Sequence, residues 1–259
     1  MRVRSRRGRA ASLRKIIADR RACQMPGVFN ALSARIAEEA GFELVGISGY
    51  AVSATLLGKP DAGLITLDEI VMVSRLVVGA VSVPVIADAD TGFGNAINTM
   101  RTVEEFIGAG VSGIHIEDQV APKRCGHMDG KRVIPVVDMI AKIKAALDAR
   151  HDADLMVVAR TDARAIEGLE AAVERAQLYR AAGADMIFVE APLSIDEMAY
   201  ICSAIAAPCL ANNVEGGKTP IQSAKRLEEI GYAAVAFPVA AAYVAAKALH
   251  GFFAGLRET

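Results

Sequence analysis

The chain has no tryptophan, and Phe and Tyr together make up only 5% of its 259 residues. A core without large rings must be closed by Ala, Val, Ile and Leu. At 53% apolar residues and a net charge of −1 there is material for a sizeable core, which excludes an intrinsically disordered chain. A basic surplus is also lacking. Five of the 29 Lys and Arg residues fall within residues 1–9, so the rest of the chain carries 24 basic against 30 acidic residues. Such a body offers no broad basic face to a nucleic acid, and residues 1–9 read as a disordered basic tail. Long hydrophobic runs are missing as well. The longest uncharged one, Tyr232–Ala246, has 15 residues and contains Pro238, short of the roughly 20 that a membrane helix needs. The N-terminus lacks the apolar stretch of a secretory signal. The four cysteines show neither a C-x-x-C motif nor paired spacing. They read as reduced thiols of a cytoplasmic protein, not as a disulfide framework.

What is present is an alternation. Short, almost continuously apolar runs occur at Ala22–Met25, Leu44–Ser48, Pro84–Asp88, Gly113–Glu117, Leu155–Arg160, Asp185–Glu190, Pro208–Asn212 and Ala233–Pro238. They read as parallel strands buried on both faces. Between and after them lie helical segments at about 30–40, 67–80, 99–110, 136–148, 168–182, 195–206, 221–230 and 240–256. In the segment 168–182, Leu169, Ala172, Val173, Ala176 and Tyr179 share one face. Eight strand–helix units in about 250 residues predict an α/β fold, a (β/α)8 TIM barrel, as a single catalytic domain over residues 10–259. A dinucleotide-binding doubly wound sheet would carry G-x-G-x-x-G after its first strand, and the sequence there is Met-Pro-Gly-Val-Phe-Asn.

In such barrels the chemistry sits at the C-terminal ends of the strands. Here those ends read Ser48-Gly49-Tyr50, Asp88-Ala89-Asp90, His115-Ile116-Glu117-Asp118, Arg160-Thr161-Asp162, Glu190 and Asn212-Asn213. Carboxylates on three adjacent strands would repel one another at a cost of several kcal/mol unless compensated. A divalent cation compensates them, and oxygen-only ligands favour Mg2+ or Mn2+ over Zn2+. Barrel-mouth ion pairs with Arg160 and Lys123 are the alternative. After the fourth strand, the polar loop Pro122–Met128 carries Cys125 between cations and beside His127. Positive neighbours lower a thiol pKa, so Cys125 is a candidate nucleophile, general acid or metal ligand. The other three cysteines lie in apolar strands or a helix and read as packed thiols.

The runs ADADTGFGN, HIEDQ, KRCGH, VARTDA and VEAP, in this order and spacing, resemble the isocitrate lyase/phosphoenolpyruvate mutase superfamily from about Gly27 onward. The resemblance implies a (β/α)8 barrel, Mg2+ or Mn2+, and a substrate that yields the enolate of an α-keto acid. It places the keto-acid carboxylate on Ser48, Gly49 and Tyr50. Asp88, Asp90 and Glu117 go to the metal, and Asp61 to a gating loop. Arg160 takes the keto-acid oxygens, with Glu190 and Asn212 lining the pocket. It makes Cys125 the proton donor of a mobile loop that also contributes Gly126 and His127. The catalytic set is then Cys125, Tyr50, Arg160 and Glu117, with the general base open among Tyr50, Asp61 and Glu117.

Within the superfamily, ISGYAVSATLLGKPD and NNVEGGKTP look more like the 2,3-dimethylmalate lyase, oxaloacetate hydrolase and carboxyphosphonoenolpyruvate mutase group than like methylisocitrate lyase. The implied activity is a Mg-dependent carbon–carbon lyase acting on a small 2-hydroxy dicarboxylate of the 2-methylmalate or 2,3-dimethylmalate type. Mutase-type C–P chemistry and oxaloacetate hydrolysis or decarboxylation are the alternatives. A scaffold or RNA-binding barrel using the basic tail is a further one, opposed by the acids and Cys125. The resemblance also implies a homo-oligomer, a tetramer, with no nucleic acid or membrane partner. Members usually carry a longer C-terminal segment with a swapped helix. The segment expected here is shorter, a helix of about 240–256.

Overall fold

The apolar runs fold as parallel strands, and the period of two along each decides what its side chains face. In the computed structural model, which describes residues 6–258, the strands are β1 (Cys23–Val28), β2 (Val45–Ile47), β3 (Val85–Asp88), β4 (Gly113–Glu117), β5 (Met156–Thr161), β6 (Met186–Val189), β7 (Leu210–Asn212) and β8 (Ala234–Phe237). They pair in the order β6-β5-β4-β3-β2-β1-β8-β7. A parallel bridge between Ile187 of β6 and Cys209, beside β7, joins the two ends of that order. The sheet is therefore a closed (β/α)8 barrel.

Met25, Leu44, Ile86, Met156, Val158, Met186, Phe188 and Leu210 pack into one buried cluster inside the barrel. The alternate positions, such as Val45, Ile114, Val157 and Ile187, belong to a larger cluster between sheet and helices. Stepping the inward register two residues further reaches Asp88, Arg160, Glu190 and Asn212. On β4 it runs through His115 to Glu117, and on β2 through Gly46 to Ser48. The same alternation that builds an apolar core below thus builds a polar ring above it.

The helices are α1 (Arg6–Ala18), α2 (Ala31–Glu39), α3 (Gly49–Val52), α4 (Leu67–Ala80), α5 (Ala96–Ala109), α6 (Val136–Arg150), α7 (Leu169–Ala181), α8 (Ile195–Ala204), α9 (Ala224–Ile230) and α10 (Ala240–Leu256). Their starts follow capping chemistry. Thr66 caps α4, and Glu69 returns its carboxylate to the Thr66 N–H at 2.8 Å. Asn95 and Asn98 do the same for α5. α3 continues into a π turn over Ser53–Leu57, a helical stretch that the sequence reading leaves as loop. Among the described residues no helix is long and apolar enough to cross a membrane.

The expected tail over residues 1–9 needs correction for its second half. Residues 1–5 lie outside the described residues, whereas α1 begins at Arg6. Arg9 is buried and donates to the carbonyls of Val78 and Val81, each at 3.1 Å. Leu13 and Ile17, spaced i and i+4, enter the barrel's inner cluster from below. Arg14 pairs with Asp154 and, at 3.0 Å, with Asp185, both just before strands β5 and β6. α1 therefore plugs the N-terminal end of the barrel. Replacing the fully buried Leu13 by Ala leaves a cavity there and should lower unfolding free energy by about 2–5 kcal/mol in urea titration. A loss below about 0.5 kcal/mol would mean that α1 is not packed into the barrel.

Candidate active site

The polar ring encloses a cleft of about 680 Å3, its open mouth included. Ser48, Tyr50, Asp61, Asp88, Cys125, Gly126, His127, Arg160, Glu190 and Asn212 all line it, so ten of the residues expected to act together share one cavity. Gly49 and Asp90 border a smaller adjoining space of about 210 Å3 that Asp61 and Asp88 also line. Glu117 lines neither and stands fully buried behind Arg160.

Asp88 is held from two sides. The Gly49 N–H donates to its Oδ2 at 3.1 Å and the Asp90 N–H to its Oδ1 at 2.9 Å. Gly49 is required at this approach, since a Cβ there would lie 2.5 Å from Asp88 Oδ2. Burial pushes the Asp88 carboxyl up, but His115, Lys123 and Arg160 outweigh it and hold the pKa at about 2. Burial has the opposite outcome at Asp90. Lys123 favours its charge, yet burial with the Asp88 and Asp61 charges raises it to about 6. Glu117 is raised further, chiefly by burial. Both of its carboxylate oxygens are buried without a hydrogen bond, and its nearest cation is Arg160 Nε at 3.3 Å.

Lys123 enters this group from the loop after β4. Its ammonium lies 2.7 Å from Asp61 Oδ1, 2.9 Å from Asp61 Oδ2 and 3.2 Å from Asp90 Oδ1. Four surrounding carboxylates keep it charged despite burial. The sequence reading has Lys123 only as an ion-pair partner, whereas the fold makes it a cavity-lining residue. His115 likewise carries no assigned role in the sequence reading. It lies inside the cleft, 3.6 Å from Asp88, and burial favours its neutral form. The signal for His115 was its inward register on β4, two residues before Glu117.

On the opposite wall, Arg160 is fixed by four contacts. It donates to both oxygens of Asp162 at 2.9 and 3.2 Å, approaches Glu117, and lies 3.2 Å from Glu190 Oε2. Its guanidinium sits over the Phe188 ring at 5.1 Å. Glu190 also accepts from Asn212 Nδ2 and from the Ala191 N–H, and faces His127 Nε2 at 3.2 Å. His127 Nδ1 accepts from the Lys218 N–H at 3.0 Å, so its ring proton sits on Nε2, toward Glu190. Gly126 lies so close that a Cβ would meet Arg160 Nη2 and Glu190 Cγ at 2.5 Å each.

The loop with Cys125 is pinned at several points. Gln119 donates to the Arg124 carbonyl and accepts from the Arg124 N–H. The Cys125 N–H donates to the Asp61 carbonyl at 3.2 Å. Lys131 donates to the Gly126 carbonyl and to Asp162. The expectation that neighbouring cations lower the Cys125 thiol is corrected here. Burial dominates and pushes the thiol up, with Asp61 and Glu190 adding to it against the His127 N–H and Arg160. Lys123 is engaged by carboxylates, and Arg124 turns to the Asp129 carbonyl. Asp118, the D of HIEDQ, serves the scaffold. It accepts from Thr161 Oγ1, the Asp162 N–H and the Tyr179 hydroxyl at 2.7–2.9 Å.

Six carboxylates (Asp61, Asp88, Asp90, Glu117, Asp162, Glu190) thus meet three permanent cations (Lys123, Lys131, Arg160). That excess, with the orphaned Glu117 oxygens, fits an additional divalent cation beside Asp88. Among the described residues no three Asp, Glu, His or Cys side chains close into a ligand shell. The carboxylate oxygens gathered around Asp88 suit a hard cation such as Mg2+ or Mn2+ more than Zn2+.

Comparison with known proteins agrees with this architecture. The family described as Phosphoenolpyruvate phosphomutase matches residues 13–256. A 2,3-dimethylmalate lyase of Eubacterium barkeri is 46% identical over 249 residues, covering 96% of this chain and 86% of that protein. A 2-methylisocitrate lyase of Aeropyrum pernix is 52% identical over 227 residues, covering 88% and 73%. A crystal structure of 2,3-dimethylmalate lyase superposes with a TM-score of 0.93 at 37% identity, covering 96% of this chain and 84% of that one. A phosphonopyruvate hydrolase solved with oxalate and Mg2+ gives 0.86 at 30% identity, covering 96% and 87%. With the family match spanning nearly all of it, the chain belongs to the phosphoenolpyruvate mutase/isocitrate lyase superfamily, whose members matched here are named as lyases, mutases and hydrolases.

Proposed function

We propose that this enzyme is a Mg2+- or Mn2+-dependent carbon–carbon lyase that cleaves a small 2-hydroxy dicarboxylate to an α-keto acid and a carboxylate. The observation that carries this reading is that the half-buried Cys125 thiol, pushed up by burial, lines the same cleft as Asp88 and the fixed guanidinium of Arg160. A thiol pushed up by burial is poorly suited as a nucleophile or metal ligand and well suited as an acid. Superfamily members are in general divalent-metal dependent.

Asp88 would hold the ion, with Asp90 and Glu117 as the neighbouring acids. When bound, the ion supplies Lewis-acid polarisation of the substrate's 2-oxygen and carboxylate. Ser48, Gly49 and Tyr50 orient the C1 carboxylate, and Arg160 donates to the keto-acid oxygen as it forms. Asp61, the candidate base whose carboxylate lines the cleft, takes the 2-hydroxyl proton; the C2–C3 bond breaks, its electron pair stays on C3, and C2=O forms. The Cys125 S–H then gives its proton to C3, so the leaving fragment departs as a carboxylate. The loop 123–128, pinned by Gln119 and Lys131, keeps water from the carbanion.

Val214, Pro238 and Val239 give the cleft an apolar part of its lining. A third carboxylate placed there would be buried without a cation, at a cost of several kcal/mol. This favours a C4–C6 dicarboxylate over a tricarboxylate. Detection of the keto acid should show turnover of 2,3-dimethylmalate or 2-methylmalate with kcat/KM at least about 10²-fold above that for 2-methylisocitrate. A preference for the tricarboxylate would overturn the substrate class. The same reading carries a homotetramer in the cytoplasm. Val244, Leu249, Phe252 and Phe253 of α10 are exposed, and all four cysteines are thiols.

A further inference from the structure

Tyr243 stands in the first turn of α10, where its N–H donates to the carbonyl of the cleft-lining Val239 at 3.0 Å. It is not itself part of the cleft wall. Its hydroxyl oxygen lies within hydrogen-bond distance of that of Tyr50, at 3.2 Å, and the two rings meet edge to face at 6.0 Å and 89°. Tyr50 is fixed from its own side by α3, where the Ala51 N–H is capped by Ser48 Oγ at 3.2 Å. A phenol oxygen has one hydrogen to give. With Tyr243 as the donor, the Tyr50 hydrogen is free for another acceptor, and Tyr50, unlike Tyr243, lines the cleft.

We infer that Tyr243 is a positioning residue: by donating to Tyr50 it turns the Tyr50 O–H into the cleft as a donor to the substrate's C1 carboxylate. The inference rests on the functional reading above and extends it to a residue on α10. It also makes α10 part of the site, since a shift of its first turn would release the Tyr50 hydrogen.

The test is calorimetric binding of oxalate, in the presence of Mg2+, to wild type, Tyr243→Phe, Tyr50→Phe and the double variant. Phe keeps the edge-to-face ring contact and removes only the hydroxyl. Tyr243→Phe should weaken oxalate roughly five-fold, Tyr50→Phe at least as much, and the double variant no more than Tyr50→Phe alone. In turnover, Tyr243→Phe should raise KM by the same factor while kcat stays within about two-fold, because a carboxylate contact is made in ground and transition states alike. Wild type that binds oxalate while Tyr243→Phe binds it equally well overturns this inference alone. So does an undiminished Tyr243→Phe effect in the Tyr50→Phe background. Wild type that binds no oxalate overturns the functional reading first, and the inference with it.

Discussion

Cys125→Ser should lower lyase turnover by about 10²–10⁴-fold, the range a well-placed general acid contributes, while oxalate binding with Mg2+ stays within a few fold. The reasoning separates two jobs of the loop. Its backbone is fixed by Gln119, by the Asp61 carbonyl and by Lys131, none of which touches the Cys125 sulfur. A serine therefore leaves loop and cleft in place. Its hydroxyl, however, is a far weaker acid than a thiol, and the departing carbanion waits for a proton. The keto-acid half of the site, built on Asp88 and Arg160, is untouched, which is why binding of a planar keto-acid mimic persists. Full turnover by the serine variant would remove Cys125 from its role. Loss of oxalate binding along with turnover would make its role structural.

Asp88→Asn should abolish metal-dependent turnover, a loss of roughly three orders of magnitude or more. The amide keeps the size of the carboxylate and an oxygen for the Gly49 or Asp90 N–H, so folding should survive. What disappears is the negative charge that sits at about pKa 2 and faces the cleft. Asp90 and Glu117 do not stand in its place, since neither lines the cleft that Asp88 faces. In the wild type, EDTA should remove activity and added Mg2+ or Mn2+ should restore it. An EDTA-treated enzyme at full rate, or an Asp88→Asn variant with unchanged Mg2+ affinity by calorimetry, would contradict the assignment.

The strands were legible because parallel strands buried on both faces must be written as continuous apolar runs. Their C-terminal residues then marked the site through register alone. α1 was obscured because arginines dominate residues 1–9, although Leu13 and Ile17 already carried helical spacing. The helical turn after β2 was hidden by Gly49, which breaks helices in general but is needed here beside Asp88. The Cys125 environment could not be read from its neighbours. Lys123 and Arg124 are adjacent in sequence, yet their charged groups turn to Asp61 and to the Asp129 carbonyl. What surrounds the thiol comes from β5, β6 and the loop at Asp61. The Tyr50–Tyr243 contact spans 193 positions and left no local signal.

The central claim is that a divalent ion and a keto-acid mimic share the cleft between Asp88 and Arg160, under the Cys125 thiol. A crystal structure of the enzyme grown with Mg2+ and oxalate tests it most directly. The account predicts one ion at Asp88, with oxalate between it and Arg160, its carboxylate within hydrogen-bond reach of Ser48–Tyr50, and Cys125 Sγ facing the mimic. Oxalate held elsewhere, or an ion that avoids Asp88 while the Cys125 thiol points away from the cleft, would contradict it.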